Sequence, residues 1–405
     1  MAEQVARRGV RLSGTNLERA ADHNQRITLH AIRVHGTMTR VDIARLTGLT
    51  PPAIANITRR LISDKMIVEV GRVRNRRGQP ATKYALNQDA CYSIGINIDR
   101  DHLTIAIVNF GGETIARRSC DVDYPLPTDV QKFYAENIGA MIEEAGIPVD
   151  GLVGLGVAVP DDLGRIDLPG RPAAYGEWDL VDMADIFGAP IDLPIFVEND
   201  AAAAAMGEQQ LGSGHHFNSI FYILISRGLG GGLIVDGNYV RGADGRSGEI
   251  GFLRHRTGVG QSEQVQFVVS LAGLDKLMKD RDLELSEIFA AEAKPEVGTA
   301  VEEWLGMAVE RLSEPLMAIN CLINPDVVLL SGRLPGQYLD RLALKLNKHL
   351  RERAALMPAV APVKRAALSD DAPAVGAAIL PFSHFLLPKW GALWKVSSDE
   401  VETIS

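Results

Sequence analysis

The spacing of apolar residues changes along the chain, and the change divides it. From about Gln25 to Val34, Ile27, Ala31 and Val34 recur at i, i+4 and i+7, which predicts one buried face of a helix. Thr39 stands where it can cap a second helix with Asp42 in its first turn. Gly48 predicts that helix's end, because glycine takes the left-handed turn without a Cβ penalty. Thr50 caps a third helix with Pro51 and Pro52 in its first turn, where missing amide donors cost little; its run AIANITRRLISD buries Ile54, Ile57 and Leu61. Ala44, four residues before Gly48, is small enough for two helices to cross closely, so this stretch predicts a helix-turn-helix. MIVEVG and TKYALN follow as two strands around the basic turn RVRNRRGQPA, the pattern of a hairpin wing.

From residue 89 onward the pattern is that of an α/β body. CYSIGINIDRDHLTIAIVNFGGETIARRS alternates and turns at Phe110–Gly112, predicting a β-hairpin, and a helix is expected near Val130–Ala145. LVGLGVAVP suits a buried parallel strand, and IFVEND reads as another that runs into the helix NDAAAAAMGEQQ. FYILISRGLGGGLIVDG is strand, glycine turn, strand; VEEWLGMAVERLSEPLMAINCLI is a long amphipathic helix; NPDVVLLSGRL is a buried strand; APAVGAAILPF is a closing helix of small residues. No fixed repeat suggests a solenoid. The expected domains are residues 1–88, a first α/β lobe over 89–198, and a second lobe over 199–405 that includes the C-terminal helices.

Composition narrows the function classes. Among 405 residues, 46% are hydrophobic and 23% charged, which excludes a disordered or collagen-like chain. Three dispersed cysteines (Cys91, Cys120, Cys321) supply neither a disulfide framework nor a CxxC zinc site. MAEQVARRGVRLSG lacks the apolar core of a secretory signal and no run of about 18 apolar residues occurs, so a cytoplasmic protein without a membrane span is expected. The net charge of −9 hides a split: residues 1–90 carry 16 Lys+Arg against 7 Asp+Glu, a net +9, leaving −18 on the rest. A basic head on an acidic body predicts a nucleic-acid partner for the head.

The candidate contacts to double-stranded operator DNA are Arg40, Thr50, Pro51, Ala53, Asn56, Arg59 and Arg60 from the helices and Arg74, Arg76, Arg77 and Gln79 from the wing, whose tip also carries Arg72. Asparagine can pair bidentately with adenine and arginine with guanine or phosphate, while small apolar groups meet a thymine methyl. The alternative is a small helical domain for protein contacts, with its arginines on a solvated face.

TGLTPPAIANITRRL, GQPATKYALN, GVAVPDDLGRI, VENDAAAAAMGE, GLGGGLIVDGNYVRGADGRSGEIG and NPDVVLLSG, in this order and spacing, resemble the ROK family (repressors, open reading frames and sugar kinases), and in particular its xylose, glucose and N-acetylglucosamine repressors. The resemblance implies an N-terminal winged helix-turn-helix followed by an actin-like, two-lobed sugar-kinase fold. Departures from the family pattern then bear on function. Where its kinases carry DxGGT, this chain has Asn97-Ile98-Asp99-Arg100-Asp101, replacing both glycines of a phosphate cradle with charged residues. The second phosphate turn, usually GTGxGGG, reads Ser226-Arg227-Gly228-Leu229-Gly230-Gly231-Gly232. Asp200 matches the catalytic base, and a sugar-hydroxyl acceptor or a helix cap are its other readings. No catalysis and no cofactor are therefore expected. The family's zinc-binding histidine is replaced by Phe252 in Glu249-Ile250-Gly251-Phe252, no cysteine follows, and His255 is left alone, so no metal is expected.

Sugar contacts implied by the resemblance are Asn199, Asp200, Glu249, Phe252 (at the histidine position) and Gln266 (at a glutamate position), with Trp178 offering either a stacking face or core packing. Phenylalanine for histidine deletes a polar contact, so the ligand is expected to differ from glucose or N-acetylglucosamine. These features predict a repressor of carbohydrate uptake or catabolism genes, a homodimer or homotetramer whose lobes close on a sugar or sugar derivative. A sugar kinase and a regulator controlled by a protein partner are the alternatives.

Overall fold

Helix α1 (Leu17–His35) begins eight residues before the stretch whose periodicity announces it. The computed structural model describes residues 17–73, 80–161, 163–164, 171–258, 261–290, 292, 294–368 and 371–388. They fall into two units, the described residues up to 87 together with 386–388, and those from 88 to 385. Among them no helix is long and apolar enough to cross a membrane.

In the first unit α1 packs on α2 (Arg40–Thr47) and α3 (Pro51–Ser63), and β1 (Met38–Thr39), β3 (Ala81–Leu86) and β2 (Ile67–Val73) form a sheet in that order. Thr39 and Asp42 form a reciprocal capping box: the Asp42 amide donates to Thr39 Oγ1 at 3.3 Å and the Thr39 amide to Asp42 Oδ2 at 3.1 Å. Gly48 ends α2 in the left-handed region at φ 67°, its amide donating to Ala44. Thr50 precedes α3 as expected but its side chain makes no cap bond; position two of the helix is Pro52, which has no N–H to give. The buried face of α3 is Ile54, Thr58 and Leu61, whereas Ile57 is only half-buried. The hairpin pairs Arg72 with Thr82 and Val73 with Ala81. Arg74, Arg76, Arg77 and Gln79 lie outside the described residues.

The second unit holds two sheets of one topology. β4 (Tyr92–Ile98), β5 (His102–Asn109) and β6 (Thr114–Asp121) form an antiparallel meander, so the expected hairpin gains a third strand. After α4 (Pro127–Ala145), strand β7 (Leu152–Val159) joins parallel to β4. After α5 (Met183–Phe187), β8 (Ile195–Asn199) joins parallel to β7, giving the order β6-β5-β4-β7-β8. Helix α6 (Asp200–Leu211) leads to the second sheet: β9 (Ile220–Ile225), β10 (Leu229–Val235) and β11 (Asn238–Tyr239) are antiparallel. The small hairpin of β12 (Arg254–Gly258) and β13 (Gln261–Gln264) precedes α7 (Leu271–Lys279) and α8 (Pro295–Leu322). β14 (Val327–Gly332), α9 (Gly336–Glu352) and β15 (Val363–Arg365) complete the order β11-β10-β9-β14-β15, with β9, β14 and β15 parallel. Each lobe has its own apolar core, the first around Ile96, Tyr134 and Phe187 and the second around Trp304, Leu312 and Leu342.

The closing helix α10 (Ala372–Phe385) is placed by its small residues. Sequence order assigns it to the second lobe, but it packs on β4, β5 and β7 of the first sheet and on α6. A Cβ at Gly156 would stand 1.9 Å from the Ala377 carbonyl oxygen and one at Gly376 would stand 1.9 Å from that of Ala203, so helix, sheet and α6 touch backbone to backbone. α6 in turn packs Ala201, Ala204 and Ala205 on the second sheet.

Candidate functional site

Parallel strands that end on the same side leave their following turns around one crevice. Here β4 is followed by Asp99 and Arg100, β7 by Pro160 and Asp161, β8 ends at Asn199 before Asp200, and β9 leads into Ser226 and Gly228. All of these but Asp99, together with Glu249, Phe252 and Gln266, line one pocket between the lobes. The structure thus brings together Asn199, Asp200, Glu249, Phe252 and Gln266. Sequence reasoning did not assign Arg100, Asp161, Ser226 or Gly228 to this pocket.

Each side chain is held for a local reason. Asn199 caps α6, its Oδ1 accepting from the Ala202 amide at 3.0 Å, which leaves its NH₂ available. Asp200, at the first turn of α6, accepts from the Ala201 amide at 2.7 Å, and is 6% exposed. Burial, followed by the neighbouring Asp99 charge, pushes its carboxyl up to about 7 against the pull of Arg100. Glu249 is also driven well above the usual carboxylate range by burial, a hydrogen bond shared with Asp161 and the charges of Asp161 and Asp200. Gln266 Nε2 donates to Gln264 Oε1 at 2.6 Å, and Phe252 stays exposed at the rim.

Trp178 is elsewhere. It is buried in the first-lobe core, its indole N–H donating to the Pro125 carbonyl at 2.9 Å, so core packing accounts for it.

Arg100 decides the shape of the crevice. It is 6% exposed, Nη2 donates to the Asp161 carbonyl at 3.3 Å, and Nη1 lies 3.2 Å from where a Cβ on residue 228 would stand. The guanidinium therefore presses against the glycine turn that follows β9. The inner pocket retains about 30 Å³, the room of a water molecule or so. A pyranose enters only when the lobes part or Arg100 swings away.

A second charge replaces a turn on the far side. Arg333, just past β14, reaches across to the first lobe and pairs with Asp101 at 3.2 Å and Asp121 at 3.0 Å. Asp101 also accepts from His102 Nδ1 at 2.7 Å. Asp99, Asp101 and His102 are grouped closely enough to hold a cation, but Arg333 already serves Asp101. The zinc that the family implies is not matched by its donors: β12 and β13 offer His255 paired in register with Glu263, and no cysteine.

In the first unit, Asn56, Arg59 and Arg60 are exposed on α3, with Arg59 Nη1 donating to Asn56 Oδ1 at 3.2 Å. Thr50 and Pro51 are exposed and Ala53 is half-buried. Arg40 is half-buried: Nε donates to Thr58 Oγ1 at 2.8 Å and the guanidinium carbon sits 5.2 Å from the Tyr84 ring centroid.

A mixed α/β chain with two matching sheets around a carboxylate-lined crevice has the architecture of sugar kinases and their relatives. The ROK family profile matches residues 93–383, and the chain belongs to the ROK family. The xylose repressor of Bacillus subtilis is 22% identical over 377 residues, 90% of this chain and 96% of that protein. A solved ROK family transcriptional regulator, a homologue of the Escherichia coli MLC protein, shares the fold with a TM-score of 0.63 at 21% identity over 90% of this chain and 97% of its own. A ROK family glucokinase from Streptomyces griseus, in complex with glucose and AMPPNP, shares it with a TM-score of 0.55 at 22% identity, covering 71% and 98%.

Proposed function

We propose that this protein is a sequence-specific DNA-binding regulator, a repressor of carbohydrate uptake or catabolism genes. Residues 1–88 form its winged helix-turn-helix, and a sugar or sugar derivative binds between the lobes of residues 89–405 without being phosphorylated. The supporting observation is the exposed face of α3: Asn56, Arg59 and Arg60 follow a capped α2 and a left-handed glycine turn, with Arg72 exposed on the adjoining hairpin. Two such heads on a two-fold dimer read inverted half-sites. A closed inner pocket couples effector entry to lobe geometry, which is the differential contact that switching requires. Arg100 against the glycine turn argues against a γ-phosphate seat there.

The test selects duplexes from a random-sequence library with the full chain and follows binding by fluorescence anisotropy over a salt series, without and with sugars. Preferential binding whose affinity falls steeply with salt, and which a sugar alters, is expected. Failure to enrich any duplex overturns the proposal. The competing reading is a sugar kinase, favoured by the retention of Asp200 at the head of α6. ATP-dependent phosphorylation lost in Asp200→Asn would establish it.

A further inference from the structure

The inner pocket opens past Arg100, Gly228 and Gln266 into a larger groove of about 1160 Å³, since these three residues line both. The groove presents Arg227, Lys276 and Lys279. Arg227 and Lys279 share a single carboxylate, Asp275, at 3.6 and 3.0 Å. Asp123, Asp280 and Glu263 also reach the groove, and Glu263 is held by Arg311 at 3.0 Å.

At the junction stands Arg100. Among the described residues no carboxylate lies within ion-pair distance of its guanidinium, and its Nε is buried without an acceptor. A buried cation with one carbonyl partner and an unpartnered Nε recovers only part of the hydration it loses. Its Nη2 donates to the Asp161 carbonyl at 3.3 Å, and its Nη1 faces the turn at Gly228. An acceptor arriving from the groove would complete the set.

We propose that the effector is an anionic sugar derivative, its ring hydroxyls on Asn199, Asp200 and Glu249 and its phosphate or carboxylate group on Arg100 at the mouth of the groove. This rests on the effector reading above and names the ligand class that reading leaves open. Drawing the guanidinium toward the groove also clears the space it fills, so the charged group and the ring enter as one event. The three carboxyls of the pocket oppose an anion less than their number suggests, because burial holds Asp200 and Glu249 toward their protonated forms.

The test uses the full chain and two kinds of probe at constant ionic strength. Inorganic phosphate is titrated against wild type, Arg100→Gln and Arg100→Lys, followed by thermal midpoint and calorimetry, with circular dichroism confirming that each variant is folded. Glucose and xylose are then compared with glucose 6-phosphate, gluconate and glucuronate. Phosphate should bind wild type about ten- to hundredfold more tightly than Arg100→Gln, the range expected for one charge-assisted contact, with Arg100→Lys between them. Preference for glucose 6-phosphate over the two acids identifies a phosphate ester, and the reverse identifies a sugar acid. The proposal is overturned if phosphate binds Arg100→Gln as well as wild type, or if the neutral sugars match their charged derivatives. If neutral sugars release DNA and charged ones do not, the effector reading stands and the anion subsite falls. Anionic sugars that bind through Arg100 but leave DNA affinity unchanged would keep the subsite and refute the effector reading.

Discussion

Replacing Asp200 by asparagine should stabilise the protein, and by an amount that grows with pH. In the unfolded chain the carboxyl releases its proton near 3.8; in the fold burial and Asp99 delay release to about 7. The folded-state value is raised, so the contribution is fully present below the unfolded value and is lost as pH rises through the folded one. Between those limits wild type loses about 1.4 kcal/mol per pH unit relative to a neutral side chain, or about 4 kcal/mol in all. Asparagine keeps an oxygen for the Ala201 amide, so the helix start is preserved. Denaturant midpoints of both proteins, measured from pH 5 to pH 9, should separate steadily up to about pH 7 and then run parallel. A gap of constant size over that range, or a weaker asparagine variant at pH 8, would refute the assignment of burial as the dominant influence on this group.

Arg59→Ala should weaken DNA binding by about 1–3 kcal/mol and relax preference at one base position, whereas a uniform loss across sequences assigns it to phosphate. Gly156→Ala should destabilise the second unit by about 1–3 kcal/mol or more, seen as a lower denaturant midpoint, because the new Cβ meets a carbonyl oxygen of α10 that cannot yield alone. Trp178→Phe should remove one buried hydrogen bond, about 0.5–1.5 kcal/mol, while leaving the affinity of any bound sugar unchanged in calorimetry.

Local signals in the sequence carried the first unit well. Thr39, Asp42 and Gly48 do in the structure what their types and spacing imply, since caps and left-handed turns are decided within a few residues. Arg40's intramolecular partners, Thr58 and Tyr84, come from elements 18 and 44 positions away, beyond any local pattern. Trp178 posed the same problem, and its indole N–H finds a carbonyl 53 positions upstream. In the pocket, Asn199, Asp200, Glu249, Phe252 and Gln266 were found by family pattern. Arg100, Asp161 and Ser226 were missed because they follow strands far apart in sequence: β4 and β7 adjoin in the first sheet, and β9 belongs to the second, whose crevice-facing end meets them only in the fold. One signal was available: each lies within two residues of the end of an apolar strand run, at the carboxyl end where crevices form in parallel sheets.

The crossing of α6 and α10 has a mechanical consequence. One helix rides on the second sheet and the other on the first, and they approach closely through small residues, Ala203 against Gly376 and Gly207 against the same glycine. Small side chains have few rotamers to lose, so a change of angle at these contacts would forfeit little side-chain entropy. Farther out, Arg333 bridges the lobes through Asp101 and the exposed Asp121, a contact that salt would weaken.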